Sequence, residues 1–358
     1  MNTLLLAPEL FSGNGGIPRI LRLYLQALRE LAAPRERVEF VTLNDPGPPA
    51  AGDPAAAADD RLAGGDACGG RKGRFIRCAL RRSRGADRLV CGHVAQLPVA
   101  WLARRLHPRL RYVLIAHGIE VWRPFRLTER VALRGAAQVW CVSAHTRREL
   151  LRRIALPEER CLVLPNALDP SFSIAAGRPL AACPPVILTV TRLAHADRYK
   201  GVDRLIAALP AIRSAEPAAR LKIVGEGDDL PRLRRLADGL GLPAGTIEFT
   251  GFLDDRRLEE EMGACRLFAL PSTAEGFGLV FLEAMARGRP CVGAAAGGVP
   301  EVLSPATGLL VPPADAAALA AACAAGLARA WDEQAILARA RHFSYSPFKD
   351  RLASILAA

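Results

Sequence analysis

Short apolar runs punctuate the chain from end to end, with amphipathic, helix-like segments between them, and this rhythm restricts the fold more than any single motif. In the first half the runs are Thr3 to Ala7, Val38 to Leu43, Arg88 to Cys91, Tyr112 to Ala116, Val139 to Val142 and Cys161 to Leu164. In the second they are Val186 to Val190, Leu221 to Val224, Ile247 to Phe249, Leu267 to Leu270, Cys291 to Gly293 and Gly308 to Val311. A strand that is apolar at every position is covered on both faces, and strands separated by helices pair in parallel. The fold class that follows is α/β, with doubly wound parallel sheets. The series breaks over residues 165–185, where Pro165, Pro170, Pro179, Pro184 and Pro185 stand among alanine and glycine, and then restarts. Such a stretch marks an interdomain linker. A chain of 358 residues has room for two domains, and the boundaries expected are 1–170 and 171–341.

Charge separates the two halves. Residues 1–172 hold 27 basic and 16 acidic side chains, a balance of +11, whereas residues 173–358 hold 21 and 20, a balance of +1. A basic half attracts phosphates, anionic lipid head groups or nucleic acid, or is simply a solvated arginine-rich surface. Arginine outnumbers lysine 44 to 4, which reads as genomic composition, so arginine counts alone carry little weight. Four tyrosines and four tryptophans are few for an aromatic-and-basic recognition module, and none is visible, which argues against nucleic acid as the partner. Nine cysteines without a C-x-x-C pair read as small buried hydrophobes in a reducing compartment. They do not cluster with histidine at metal spacing, and no metal is expected. The first ten residues read as a strand rather than a signal peptide, and no apolar run suits a membrane-spanning helix. The localisation expected is cytoplasmic, with contact to a membrane left open.

Residues 44–73 are rich in glycine, proline and alanine and are expected to form a mobile surface loop without regular structure. After them Arg74, Arg77, Arg81, Arg84 and Arg88 recur at helical spacing along one stripe. That stripe suits either a membrane-surface helix or an ordinary solvated one.

Two glycine-rich turns, residues 11–19 and 225–230, follow strands and precede helices. Each opens like a dinucleotide fingerprint, but Pro18 and Leu230 stand where the third glycine belongs, so a nicotinamide oxidoreductase is disfavoured. Gly15 and Gly16 still allow a backbone to approach an anion closely, at the start of a helix. Arg192 ends the strand Val186 to Val190 and Lys200 precedes a helix. Together they could clamp a diphosphate, although a surface salt bridge explains either one equally well. A third place is the stretch from Ala274 to Met285, apolar and glycine-rich except for Glu275 and Glu283. Buried carboxylates are costly without a partner. If Leu267 to Leu270 is a strand and Leu279 to Arg287 a helix closed by Gly288, Glu275 lies in the loop and Glu283 one turn into the helix. The amides of Phe277, Gly278 and Leu279 lie between them, and a nucleotide sugar offers hydroxyls on both sides of a diphosphate.

These pieces resemble the retaining glycosyltransferases of family 4, which have the GT-B fold. The resemblance also takes in His117-Gly118, Val142-Ser143, Leu164 through Asp169, Thr191 to Leu193, Lys200-Gly201, Leu221 to Gly227, Phe249 to Gly251, Gly297 to Glu301 and Gly308 to Pro312. It implies two Rossmann-like domains facing a central cleft, with the acceptor on the first, the donor on the second, and residues 342–358 packing back on the first. It implies that Glu283 holds the ribose and Glu275 the transferred sugar. By the same resemblance Arg192 and Lys200 neutralise the diphosphate with amides near Gly15, Gly16 and Phe277 to Leu279, and His117 lines the cleft beside the reacting sugar. Outside that context a histidine at a strand end reads as packed. Ala167 replaces the usual glycine after Asn166, and residues 194–199 lengthen the approach to Lys200.

The activity expected is transfer of a hexose, with retention, from a UDP- or GDP-sugar to a glycan or polyprenyl-diphosphate-linked acceptor in bacterial cell-surface polysaccharide assembly. Exopolysaccharide and lipopolysaccharide synthesis at the inner face of the cytoplasmic membrane are the settings envisaged. The chain contains no D-x-D, so the expected mechanism is metal-independent and uses no cofactor, with cations and helix amides stabilising the leaving group. A GT-B sugar-nucleotide epimerase or phosphorylase is the alternative.

Overall fold

Leu4, Leu5 and Leu6 are all fully buried, which an alternating strand could not achieve: one face of the strand would meet water. Each such side chain contributes roughly 1.5–3 kcal/mol on burial, so the apolar runs become the centres of sheets clad on both sides. The computed structural model describes residues 1–13, 15–47 and 64–357. It divides into one unit of residues 1–169 with 345–358 and a second of residues 170–344.

The first unit holds β1 (Thr3–Ala7), β2 (Val38–Thr42), β3 (Gly65–Ala67), β4 (Arg88–Cys91), β5 (Arg111–Ala116), β6 (Gln138–Cys141) and β7 (Cys161–Val163). They form a parallel sheet in the order β3-β2-β1-β4-β5-β6-β7. Its helices are α1 (Gly16–Leu31), α2 (Lys72–Ser83), α3 (Leu97–Leu106), α4 (Leu127–Gly135) and α5 (Ala144–Arg153). The second unit holds β8 (Val186–Val190), β9 (Arg220–Val224), β10 (Ile247–Gly251), β11 (Leu267–Leu270), β12 (Cys291–Ala294) and β13 (Gly308–Val311), in the order β10-β9-β8-β11-β12-β13. Its helices are α6 (Val202–Ala215), α7 (Leu230–Asp238), α8 (Asp255–Ala264), α9 (Leu279–Ala286), α10 (Val299–Val302), α11 (Ala316–Ala328) and α12 (Glu333–His342). In each sheet the strand order reverses beside the first strand, β1 or β8. Ligands of open parallel sheets bind outside the carboxyl ends of the strands at such a reversal.

The chain then returns to the first unit as α13 (Tyr345–Ala357). Phe348 meets Tyr24 edge-on at 5.0 Å, Tyr24 stacks on Trp140 at 5.9 Å, and Lys349 bonds Glu30 at 2.7 Å.

Two expectations need correction. Residues 44–73 are not without regular structure: β3 lies within them, and α2 begins at Lys72. Gly-Asp-Ala makes a poor strand on propensity, but a Cβ at Gly65 would stand 2.0 Å from the Phe40 ring, so glycine is what lets β3 lie beside β2. Residues 48–63 of that stretch lie outside the described residues. The arginine stripe does not reach Arg88, because α2 ends at Ser83 and Arg88 opens β4. The division between the units falls at Asp169–Pro170, inside the proline-rich stretch read as a linker, and residues 177–183 of that stretch pack on the second unit. The Gly177 and Arg178 amides bond the carbonyls of Arg287 and Gly263, and the fully buried Arg289 donates to the carbonyls of Arg178, Arg287 and Cys265. All nine cysteines are buried and free.

Candidate active site

On the second unit the loops after β8 and β11 meet. Residues 194–199, which lengthen the approach to Lys200, form a short 3-10 segment with it, His195–Lys200. The Tyr199 carbonyl accepts the Thr273 amide at 2.8 Å, which ties that segment to the loop after β11. Lys200 is thereby aimed, and its Nζ stands 2.6 Å from Glu275 Oε2. Each side chain keeps less than a fifth of its surface exposed. The cost of holding Glu275 in apolar surroundings is thus met by a cation 75 residues away in sequence. Arg192 lies at the same sheet edge but is 76% exposed, and it pairs with Asp197 at 3.0 Å.

The loop after β11 is shaped by glycine. Gly278, at φ +102°, turns the chain into α9, whose first turn carries no acidic residue and no side-chain cap. The amides of that turn form the positive end of a helix. Phe277 is buried against Phe343 at 5.5 Å. Glu283, half-buried, follows one turn into α9. Behind the loop lie Gly297 and Gly298: a Cβ on the first would come within 2.0 Å of the Glu275 carbonyl, and one on the second within 2.4 Å of the Gly276 carbonyl. The Gly298 amide also donates to the Glu275 carbonyl at 2.7 Å. The second G-x-G has a packing role of the same kind. Cβ atoms on Gly225 and Gly227 would stand 1.9 and 2.2 Å from the Thr191 and Leu193 backbone, so these glycines serve strand-loop contact.

On the first unit His117 follows β5. Its Nε2 lies 2.9 Å from the Gly92 carbonyl, which can only accept, so Nε2 carries the proton and Nδ1 is left as an acceptor. Burial lowers the His117 pKa to about 4, against a smaller opposing effect of the Gly92 bond; the ring is neutral at pH 7. Glu120 accepts the His117 amide at 2.6 Å and holds the turn that presents the imidazole. Burial raises the Glu120 pKa, with its own amide and those of His117 and Gly118 opposing. His93, lowered by burial, feels the Glu120 carboxylate. Arg123 makes a fork on Glu129 at 2.8 and 3.0 Å. Gly15 is the N-cap of α1 in extended conformation, with Gly16 opening the helix.

Lys200, Glu275, Phe277, Gly278, Leu279 and Glu283 therefore occupy two adjoining loops and one helix start on the second unit, with Arg192 at the same edge. His117, Gly15 and Gly16 lie on the first. Sequence reasoning missed Glu120, Thr273 and Asp45. Glu120 had a faint signal, an acid three residues beyond His117; Asp45 had none, since it sits in a stretch read as low-complexity. Among the described residues no three His, Cys, Asp or Glu side chains gather as a metal cluster.

Comparison with known proteins gives concordant results. The model of Glycosyltransferase Family 4 matches residues 20–172 and that of Glycosyl transferases group 1 matches residues 184–329. A Corynebacterium glutamicum GDP-mannose-dependent monoacylated alpha-(1-6)-phosphatidylinositol monomannoside mannosyltransferase is 38% identical over 138 residues, 37% of this chain and 35% of that protein. A Mycobacterium tuberculosis GDP-mannose-dependent alpha-(1-6)-phosphatidylinositol monomannoside mannosyltransferase is 33% identical over 239 residues, 61% of each chain. The match thus spans about a third of the first relative's length and three fifths of the second's. In three dimensions the chain superposes on Anabaena Alr3699/HepE in complex with UDP, with a TM-score of 0.77 at 22% identity over the whole of both chains. The likeness shows the fold, GT-B, with two parallel-sheet α/β units.

Proposed function

The chain belongs to the family 4, group 1 glycosyltransferases, and from that membership we propose that it moves a hexose, with retention of configuration, from a nucleotide sugar to a glycan or lipid-linked acceptor. The observation that carries the reading is the Lys200–Glu275 contact beside the start of α9. A carboxylate so placed can accept sugar hydroxyls while its partner ammonium and the α9 amides face a diphosphate. Glu283 takes the ribose, Arg192 adds an exposed second cation, and Gly15 and Gly16 contribute amides from the first unit. His117, neutral and with Nδ1 as acceptor, takes a hydroxyl of the transferred sugar.

In the step proposed, the bond from the anomeric carbon to the phosphate oxygen breaks. The acceptor oxygen bonds the same face of the oxocarbenium-like centre, and the departing phosphate oxygen takes the acceptor's proton. Lys200 and Arg192 offset the charge that gathers on the diphosphate, and the scheme is metal-independent. The relatives' dependence on GDP-mannose makes that the first donor to test, with UDP-sugars beside it. Polyprenyl-diphosphate-linked glycans and anionic glycolipids of the cell surface are the acceptors in view, met at the inner face of the cytoplasmic membrane. No helix among the described residues is long and apolar enough to cross a membrane.

Thermal stabilisation by a panel of GDP- and UDP-sugars should single out the donor, and product anomers should keep the donor's configuration. Lys200→Ala is expected to lower turnover by about two orders of magnitude or more, and EDTA to leave it unchanged. Full inhibition by EDTA would refute the metal-free scheme, and an inverted product would refute retention.

A further inference from the structure

We propose that Asp45 is a positioning residue, which holds the loop between β1 and α1 in the shape that offers Gly15 and Gly16 to the donor's diphosphate. The proposal rests on the transferase reading above. Asp45 follows β2 and is fully buried. Its Oδ2 accepts the Leu10 amide at 2.8 Å. Its Oδ1 accepts the Phe11 amide at 3.2 Å, the Ser12 amide at 2.9 Å and the Ser12 hydroxyl at 2.6 Å. Arg22 of α1 donates to the Leu10 carbonyl at 2.5 Å, and Phe11 packs edge-on against Phe40 at 5.4 Å. A carboxylate thus takes the loop's N–H groups while a guanidinium takes a carbonyl. Residues 10–12 belong to neither helix nor strand, so without Asp45 their amides would lose these partners, which is costly where backbone is buried.

The arrangement divides the loop's work. Successive amides turned toward one centre make an anion nest, and here the protein's own anion already fills the first of them. The chain then passes Gly15, whose missing side chain provides no cap, and enters α1 at Gly16. Donors aimed at a leaving group accelerate a reaction only when their orientation is set beforehand. Asp45 fixes the start of the loop, up to Ser12, without needing to touch the substrate.

Asp45→Asn keeps the size but turns an N–H toward the backbone amides. On this account it lowers turnover by about tenfold or more while changing the donor KM by less than about threefold. Hydrogen exchange in the peptide covering residues 9–17 should quicken by a similar factor, with or without donor. Ser12→Ala deletes one of the four bonds and should lower turnover by about two- to fivefold in a folded protein. Wild-type turnover per folded molecule in Asp45→Asn overturns the proposal. Should that variant fail to fold, wild-type turnover and unaltered loop exchange in Ser12→Ala overturn it instead. A wild-type enzyme that transfers no sugar from any GDP or UDP donor sinks the transferase reading. The exchange comparison needs no substrate, and it still decides whether Asp45 holds the loop.

Discussion

A carboxylate and an ammonium 2.6 Å apart, each mostly out of water, stand or fall together. Truncating one member of such a buried pair leaves the other uncompensated, at a cost of about 3–5 kcal/mol, so Lys200 and Glu275 are a folding unit of their loop. His117 makes the opposite bargain, buried neutral with its proton on Nε2. The sign of its pH effect follows. In the unfolded chain it protonates near the ordinary value of 6.5, in the folded chain near about 4, so stability is full above 6.5 and is lost as pH falls through that window. Between pH 7.5 and 5 one such group removes about 2 kcal/mol. His93 shifts in the same direction, whereas Glu120, raised by burial, recovers some stability as it protonates. The variant His117→Gln isolates the single contribution. Its urea unfolding, followed by tryptophan fluorescence, should weaken less than the wild type's between those two pH values, by about 2 kcal/mol. Trp101, Trp122 and Trp140 all report on the first unit. Equal weakening in both proteins would remove the buried neutral histidine from the account.

At the scale of elements, the apolar runs announced β1, β4, β8, β11 and β13 residue for residue and most other strands to within a residue or two, because burial on both faces leaves a mark at every position. The glycines that shape the loop after β11 were legible as a motif but not as a mechanism. Sequence shows Gly297-Gly298; only the fold shows that these two lie against the Glu275–Gly276 backbone, with no room for a Cβ. The Lys200–Glu275 contact was hidden for a similar reason, since its partners lie on separate loops that approach through the Thr273–Tyr199 bond. β3 and Asp45 were invisible because their surroundings, not their own residues, make them structured. Gly297→Ala follows from this packing. Its φ of +60° disfavours alanine, and the new methyl would overlap the Glu275 carbonyl, so the loop must move. The expected result is a loss of at least about tenfold in kcat/KM for the donor with the far-ultraviolet circular dichroism of the fold kept. A variant with wild-type kinetics would show that the loop's placement does not depend on this contact.

Across the whole molecule, charge is the asymmetry that two similar sheets would not suggest. With α13 counted in, the first unit holds 29 basic and 17 acidic residues and so carries the entire +12, while the second holds 19 of each and is neutral. On α2, Phe75, Cys78 and Ala79 face inward, leaving Lys72, Arg74 and Arg77 exposed beside Ile76, with Arg84 exposed just past the helix end. Leu106 of α3 and Leu127 of α4 are exposed as well. Arg81, by contrast, is engaged with Asp66 at 2.9 Å. A lipid-linked acceptor never leaves its bilayer, so an enzyme that uses one must come to the surface, and basic side chains with scattered apolar ones are suited to that task. Each arginine near an anionic bilayer contributes about 1 kcal/mol. Replacing Arg74, Arg77 and Arg84 by alanine should therefore weaken flotation with phosphatidylglycerol-containing liposomes by about a hundredfold in low salt. Replacing Arg256 and Arg257 on the neutral unit should change it little. Wild-type binding should fall steeply as salt is raised from 0.05 to 0.5 M, since about 0.15 M already screens charges beyond about 8 Å. Binding that ignores salt and the triple substitution alike would detach the charge asymmetry from the membrane, and with it the reason for expecting a lipid-linked acceptor.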